Sequence, residues 1–244
     1  MKFIQETDHL FRLTQFGLVN CYLLRESDEL TLIDTGVPGM ATAIFEAIRS
    51  LQAPLRRIVL THSHFDHIGA VDALMVAMPG LELFVGKRES RLLARDFRLD
   101  PGERGKPLLG FTGAKSRPTR LLEDGDQVGS LKAIACPGHT PGHMAFLDVR
   151  DHTLIAGDAF TTQNGLVVAG VFRVTFPFPA LFSWNGILSA RRAVRLRQEQ
   201  PSFLATGHGK PIASPQAAMD RAIEEALQQF PDARRTQQET LYCE

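Results

Sequence analysis

Short apolar runs along the chain alternate with longer stretches in which apolar residues return every third or fourth position. Residues 10–13, 19–24 and 30–33 read as strands separated by polar or glycine-containing turns such as Glu26-Ser27-Asp28-Glu29. Met40, Ala43, Ile44, Ala47, Ile48 and Leu51 then recur at helical spacing and predict an amphipathic helix that stops before Pro54. A strand over 56–60, a helix over about 68–78 closed by Pro79-Gly80, and a strand over 81–85 follow. In the second half, strands are expected over 119–122, 131–135, 144–149, 153–156 and 202–205, with a basic-faced helix over 185–198. The last helix should begin with Ser214 as N-cap and Pro215 as first residue. Its buried stripe is Met219, Ala222, Ile223, Ala226, Leu227 and Phe230. Alternating strand and helix signals imply an α/β layered architecture. No linker, charge block or repeat divides the chain, so 1–244 is expected to be one domain.

Two stretches break the pattern. Residues 95–118 are rich in Gly and Pro, and loops of that length are functional or mobile as a rule. From Arg95 to Arg120 there are seven basic and three acidic residues, which suits either a solvated surface loop or a lid that attracts an anionic substrate. Residues 161–184 are instead apolar and carry Phe172, Phe176, Phe178, Phe182 and Trp184. Pocket wall, dimer contact and plain core cover all fit such a segment, and a substrate-pocket role for these aromatics is the one carried forward.

Composition narrows the function classes. The 244 residues carry 22% charged and 44% hydrophobic side chains and no formal net charge. That balance argues against a nucleic-acid partner, which favours a basic excess. No apolar run is long enough to span a bilayer, and the first residues lack the apolar segment of a signal peptide. Cys21, Cys136 and Cys243 are odd in number and far apart, so the chain is expected in a reducing cytoplasm without a disulfide framework.

The candidate chemistry sits in Thr61-His62-Ser63-His64-Phe65-Asp66-His67, directly after Ile58-Val59-Leu60. Neutral imidazole and carboxylate suit zinc and related divalent ions. On an extended backbone His62 and His64 point the same way, whereas Asp66 and His67 belong to the turn that follows. Three more positions share one local pattern: His139, Asp158 and His208 each follow a glycine at or near a predicted strand end. Such ends open onto a common rim in layered α/β folds, and glycine lets the backbone turn sharply beside a ligand.

The ordered set His62-x-His64-x-Asp66-His67, Gly138-His139, Gly157-Asp158 and Gly207-His208, preceded by Asp34-Thr35-Gly36, resembles the metal motifs of the metallo-β-lactamase-fold superfamily, in its glyoxalase II-like or lactonase-like branch. The resemblance implies an αβ/βα sandwich of two mixed sheets flanked by helices. It also implies two divalent metal ions, zinc for preference and iron or manganese as alternatives. One would be bound by His62, His64 and His139, the other by Asp66, His67 and His208, with Asp158 bridging. Asp34 and His143 match positions that support the site without ligating.

The expected activity is hydrolysis of an ester, lactone, thioester or amide carbonyl in a small molecule, with Asp66 as proton shuttle. Relatives in this superfamily include phosphoester-cleaving enzymes, mononuclear iron persulfide dioxygenases and binding proteins without turnover, and these are the alternatives. Only Tyr22 and Tyr242 are present, and neither lies in the loop that carries the tyrosine of some lactonases. The 36 residues after His208 are too few for the helical substrate domain of glyoxalase II thioesterases. A homodimer is compatible with the apolar stretch.

Overall fold

The computed structural model describes residues 1–174 and 177–234. Phe176, Tyr242 and Cys243 lie outside the described residues.

One sheet is assembled in chain order from β1 (Lys2–Gln5), β2 (Leu10–Gln15), β3 (Val19–Arg25), β4 (Leu30–Ile33), β5 (Leu55–Leu60), β6 (Glu82–Gly86) and β7 (Arg120–Leu122). Its first four strands are antiparallel, and β4 to β7 are parallel. Parallel neighbours need crossovers. These are α1 (Ala41–Leu51), the pair α2 (Phe65–Ile68) and α3 (Val71–Ala77), and α4 (Lys87–Leu93). The second sheet has the order β15-β14-β11-β10-β9-β8. Its members are β8 (Gln127–Val128), β9 (Leu131–Ala135), β10 (Met144–Asp148), β11 (Thr153–Ile155), β14 (Phe203–Ala205) and β15 (Ile212–Ala213). A small hairpin, β12 (Phe160–Thr161) and β13 (Val167–Val168), precedes α5 (Phe178–Leu181), α6 (Gly186–Gln198) and α7 (Gln216–Gln229).

Side-chain alternation assigns the layers. Leu10, Tyr22, Leu24, Ile33, Val59 and Phe84 face the second sheet and pack on Leu131, Ala133, Met144, Phe146 and Ile155. Their sequence neighbours Phe11, Leu23, Leu32, Ile58 and Leu83 face the other way, onto Ile44 and Leu51 of α1 and Leu74 of α3. Ile134, Ala145, Leu147 and Leu154 of the second sheet pack on Ala190 and Leu196 of α6 and Met219 and Ile223 of α7. The layers are therefore helix, sheet, sheet, helix: the αβ/βα sandwich expected from the sequence. Strands buried on both faces read as continuous apolar runs rather than alternating ones. A fully buried Leu or Ile on these faces contributes about 1.5–3 kcal/mol.

Three expectations are corrected. The helix over 68–78 is two helices, because the Asp34-Thr35-Gly36 turn captures the backbone between them. Gly69 N–H donates to Gly36 O (2.7 Å) and Ala70 N–H to Thr35 Oγ1 (3.2 Å). A Cβ on Gly69 would lie 2.2 Å from Pro38 N, so only glycine permits this approach. Ser214 is not an N-cap. Its N–H donates to Ser202 O at the strand edge (2.8 Å), its φ is 49°, and α7 starts one residue later, behind Pro215. Finally, 161–184 is not wholly irregular, since part of β12 together with β13 and α5 falls within it.

Candidate metal centre

Asp34 follows β4, His62 and His64 follow β5, His139 follows β9, Asp158 follows β11 and His208 follows β14. Because β11 and β14 are parallel and β10 is antiparallel to both β9 and β11, these strands of the second sheet end at the same rim. Both sheets thus deliver their loops to one edge of the sandwich, where layered α/β folds place ligands.

At that edge the donor atoms converge. His62 Nε2 lies 3.1 Å and His139 Nε2 3.0 Å from His64 Nδ1. Zn–N bonds of ~2.0–2.1 Å in tetrahedral array place nitrogens roughly 3.3 Å apart, so these three fit one such ion closely. Asp158 Oδ2 is 3.5 Å from His139 Nε2, 4.0 Å from His62 Nε2 and 3.0 Å from His208 Nε2. Its Oδ1 is 3.5 Å from His67 Nε2, and both of these buried atoms lack a hydrogen-bond partner. Asp66 Oδ2 stands 3.4 Å from His208 Nε2. Two donor groups therefore fit a cation, His62–His64–His139 and Asp66–His67–His208, with the Asp158 carboxylate between them. A third grouping, Asp34–His62–His67, satisfies the same proximity criterion. Asp34 is already engaged, however, accepting from Thr61 N (2.7 Å) and Thr61 Oγ1 (2.6 Å) and meeting His67 Nδ1 at 2.9 Å. It orients His67 from behind, as carboxylates behind metal-binding imidazoles do.

The remaining imidazoles are held in the same manner. His62 Nδ1 meets Thr61 Oγ1 (3.0 Å), His139 Nδ1 meets Ser183 Oγ (3.0 Å) and His208 Nδ1 meets Leu18 O (2.8 Å). His64 has its Nδ1 turned inward, and its ring packs edge-on against Phe111. His143 takes Asp158 N–H on Nε2 (3.1 Å) and meets Cys136 Sγ through Nδ1 (3.0 Å), which fixes the turn that presents Asp158.

The electrostatics suit cation binding. Burial, followed by the neighbouring imidazoles His67, His64 and His139, pushes His62 well below the ordinary histidine range. Burial also lowers His64 to about 4 and His139 well below its usual value. These rings are neutral at pH 7, the form that ligates metal. Burial opposes the charge on Asp158, but His208 and His67 outweigh it and hold the carboxyl well below its usual range. For His67, burial is likewise outweighed, by Asp158 and Asp34, and its pKa is raised.

Two supporting groups left no mark in the sequence pattern. Glu89 on α4 is fully buried and accepts from Ser63 N (2.7 Å), Thr140 Oγ1 (2.7 Å) and Gly142 N (3.1 Å). It ties the loop of His62 and His64 to the loop of His139. Replacing it with alanine strands these donors in the interior, at about 1–3 kcal/mol each. The expected result is a stability loss of at least about 3 kcal/mol and metal affinity reduced about 10- to 100-fold, read by denaturant unfolding and metal titration. Gln, which retains one acceptor, should recover part of both.

The second group is Asn20 with Tyr22, on β3. Asn20 Nδ2 donates to Thr206 O (2.9 Å) and Gly209 O (2.7 Å), and Tyr22 Oη–H donates to Thr206 O (2.7 Å). These bonds brace the Gly207-His208 loop from the opposite sheet. Asn20→Ala is expected to weaken the Asp66–His67–His208 group selectively. A metal titration should then show weaker binding at the Asp66–His67–His208 group and unchanged binding at the His62–His64–His139 group.

A cavity of about 380 Å³ opens over the donors. Phe178 and Phe182 line it, together with Leu18, Val19, Phe65 and Pro179. Phe172 and Trp184, the other two aromatics expected at a pocket, are not among its lining residues. Phe172 is exposed and exchanges hydrogen bonds with Gln229 on α7, away from the cavity. Trp184 is buried behind it, where its backbone links His139 O (2.9 Å) to Lys106 N (2.7 Å). Loop 95–118 nevertheless reaches the site, because Phe65 N–H donates to Gly110 O (2.9 Å) and Phe111 bridges His64.

Residues 14–208 match the model of the metallo-beta-lactamase superfamily. The chain belongs to the metallo-β-lactamase superfamily. Within it, a Bacillus subtilis protein designated YobT is 44% identical over 210 residues, spanning 85% of this chain and 90% of that one. YflN of the same organism, a probable metallo-hydrolase, is 28% identical over 80% of this chain and 82% of its own length. A hydroxyacylglutathione hydrolase of Aeromonas hydrophila is 32% identical, but over only 51% of this chain and 41% of that enzyme. Among solved structures, a β-lactamase from Chitinophaga pinensis superposes with a TM-score of 0.68 at 21% identity, covering 96% of this chain and 94% of that one. TTHA1623, solved in a di-iron-bound form, gives 0.64 at 25% identity, covering 85% and 96%. The metallo-β-lactamase fold is thus established, with a His/Asp cluster whose donor spacing fits a metal ion, and the superfamily relatives support a hydrolase. Among the described residues, no helix is long and apolar enough to cross a membrane.

Proposed function

We propose that this protein is a metal-dependent hydrolase acting on the carbonyl of a small ester, lactone, thioester or amide. The observation that carries the reading is the convergence of His62 Nε2, His64 Nδ1 and His139 Nε2 within 3.0–3.1 Å, beside the partnerless pair His67 Nε2 and Asp158 Oδ1. One divalent ion would be held by His62, His64 and His139, and a second by Asp66, His67 and His208, with Asp158 shared. Zinc suits this nitrogen and oxygen set, as do iron and manganese. Bound divalent ions supply hydroxide near neutral pH and polarise the carbonyl oxygen.

The chain's own residues supply the rest. Asp66 lies on the cavity wall, where its carboxylate would take a proton from the attacking water and return it to the leaving group. Asp34, His143 and Glu89 fix the ligand orientations in advance, so little reorganisation accompanies the reaction. The apolar walls exclude bulk water and hold the substrate over the donors.

The reading is tested with protein stripped by a chelator and reloaded, assayed on an ester, thioester and lactone panel. Turnover should vanish on stripping and return on reloading, and Asp66→Asn should lower kcat while weakening the binding of the ion that Asp66, His67 and His208 would hold. Metal binding without turnover of any member of the panel would overturn it.

A further inference from the structure

The cavity over the metal centre carries information about what it accepts. Its walls are Leu18, Val19, Phe65, Phe178, Pro179 and Phe182, and no Lys or Arg is among the lining residues. Leu18, Phe65 and Phe178 are half exposed, which gives the mouth an apolar rim. At about 380 Å³ the space is near the lower end of the ~300–1,000 Å³ typical of ligand sites.

The basic excess of loop 95–118 does not reach this space. Arg98 pairs with Asp96 (2.8 Å) within the loop, and two acidic loop residues are taken up by arginines of α4: Arg88 with Glu103 (2.8 Å) and Arg91 with Asp96 (3.1 Å). Arg95 donates to Thr112 O (2.7 Å) and Lys106 to Ala180 O (3.1 Å). The loop's cations are thus placed outside the cavity, and none of them meets a group bound within it. A substrate carboxylate pressed against the apolar walls, away from the metal donors at the base, would lose its hydration without gaining a Lys or Arg partner, which is costly. A hydrocarbon chain there would instead cover apolar surface already exposed to water.

We propose that the site selects esters, thioesters or lactones with an apolar acyl chain and an uncharged leaving group, and discriminates against thioesters of carboxylate-bearing thiols such as glutathione. This rests on the hydrolase reading above, and it departs from the substrate named for the Aeromonas relative.

The test measures binding, so its failure is separable from a failure of catalysis. Metal-loaded protein is titrated calorimetrically with non-hydrolysable thioethers, S-alkyl-N-acetylcysteamine against S-alkylglutathione, with alkyl chains from ethyl to hexyl. Affinity for the uncharged series should rise about four-fold per methylene, and the hexyl member should bind at least about ten-fold tighter than its glutathione counterpart. Phe178→Arg, which adds a cation at an exposed wall position, should narrow or reverse that preference. Tighter binding of the glutathione conjugates by the unmodified protein, or affinity independent of chain length, would overturn the proposal. The predicted binding order without turnover of any ester, thioester or lactone would leave it standing and remove the hydrolase reading instead.

Discussion

Alanine at His62 is expected to lower kcat/KM for any substrate of this protein by a factor on the order of 10³ or more, the scale on which loss of transition-state charge stabilisation registers. His62 is completely buried, its Nε2 belongs to the His62–His64–His139 group, and its Nδ1 is fixed by Thr61 Oγ1 at 3.0 Å. Without it the group keeps two nitrogens, too few for a tetrahedral site closed by protein ligands and one solvent position. Metal content should fall from about two ions per chain to about one, while the thermal melt stays cooperative. A variant with normal kcat/KM and full metal content would contradict the assignment.

Gly207→Ala is the second large effect, and it acts without touching any donor group chemically. A Cβ at Gly207 would stand 2.2 Å from Asp158 Oδ1 and 2.5 Å from His67 Cε1. The backbone has little freedom to retreat. Gly207 N–H donates to Gly157 O (2.9 Å), and Gly207 O accepts from Asn20 N–H (2.9 Å). Asp158 and His67 must therefore move; the first lies between the two donor groups and the second belongs to the Asp66–His67–His208 group. Turnover should fall by about 10²-fold or more, a misplacement cost expected for ångström-scale shifts. Stability should fall by only about 1–3 kcal/mol, as for a single overpacked methyl group. Steady-state kinetics beside denaturant unfolding separates the two, and equal losses in stability and activity would point to simple unfolding.

The sandwich was legible in the sequence because its central strands, such as β2, β3, β4, β10 and β11, are buried on two faces, whereas the edge strands β1, β8 and β15 are largely or partly exposed and left no such run. Runs such as Ile58-Val59-Leu60 had no other use, and Met40, Ile44, Ala47 and Leu51 could hide only along one helix stripe. The donor residues were legible for a different reason. His62 to His67 are adjacent, and the glycines beside His139, Asp158 and His208 mark the close backbone approaches that the geometry contains.

What supports the donors was hidden by distance. Asn20 bonds carbonyls 186 and 189 residues away, and Tyr22 one 184 residues away, so neither forms a local pattern. Glu89 sits in Lys87-Arg88-Glu89-Ser90-Arg91, which reads as a solvated helix face, yet it points inward beneath both histidine loops. Aromatic content alone also failed to say which side of a segment faces the substrate. Phe178 and Phe182 line the cavity, Phe172 faces solvent, and Trp184 braces His139 from behind. The charge count over 95–118 likewise said nothing of where those side chains point, and no Lys or Arg is among the residues lining the cavity.

The central claim is that two metal ions held by these loops drive hydrolysis, and a zinc titration of the stripped protein tests it most directly. Calorimetric heat and turnover of a simple thioester are followed together as zinc is added. Binding should saturate at about two ions per chain, with turnover absent at zero equivalents and maximal at two. Turnover by the metal-free protein, or saturation of both signals at one ion with no further change, would contradict the account.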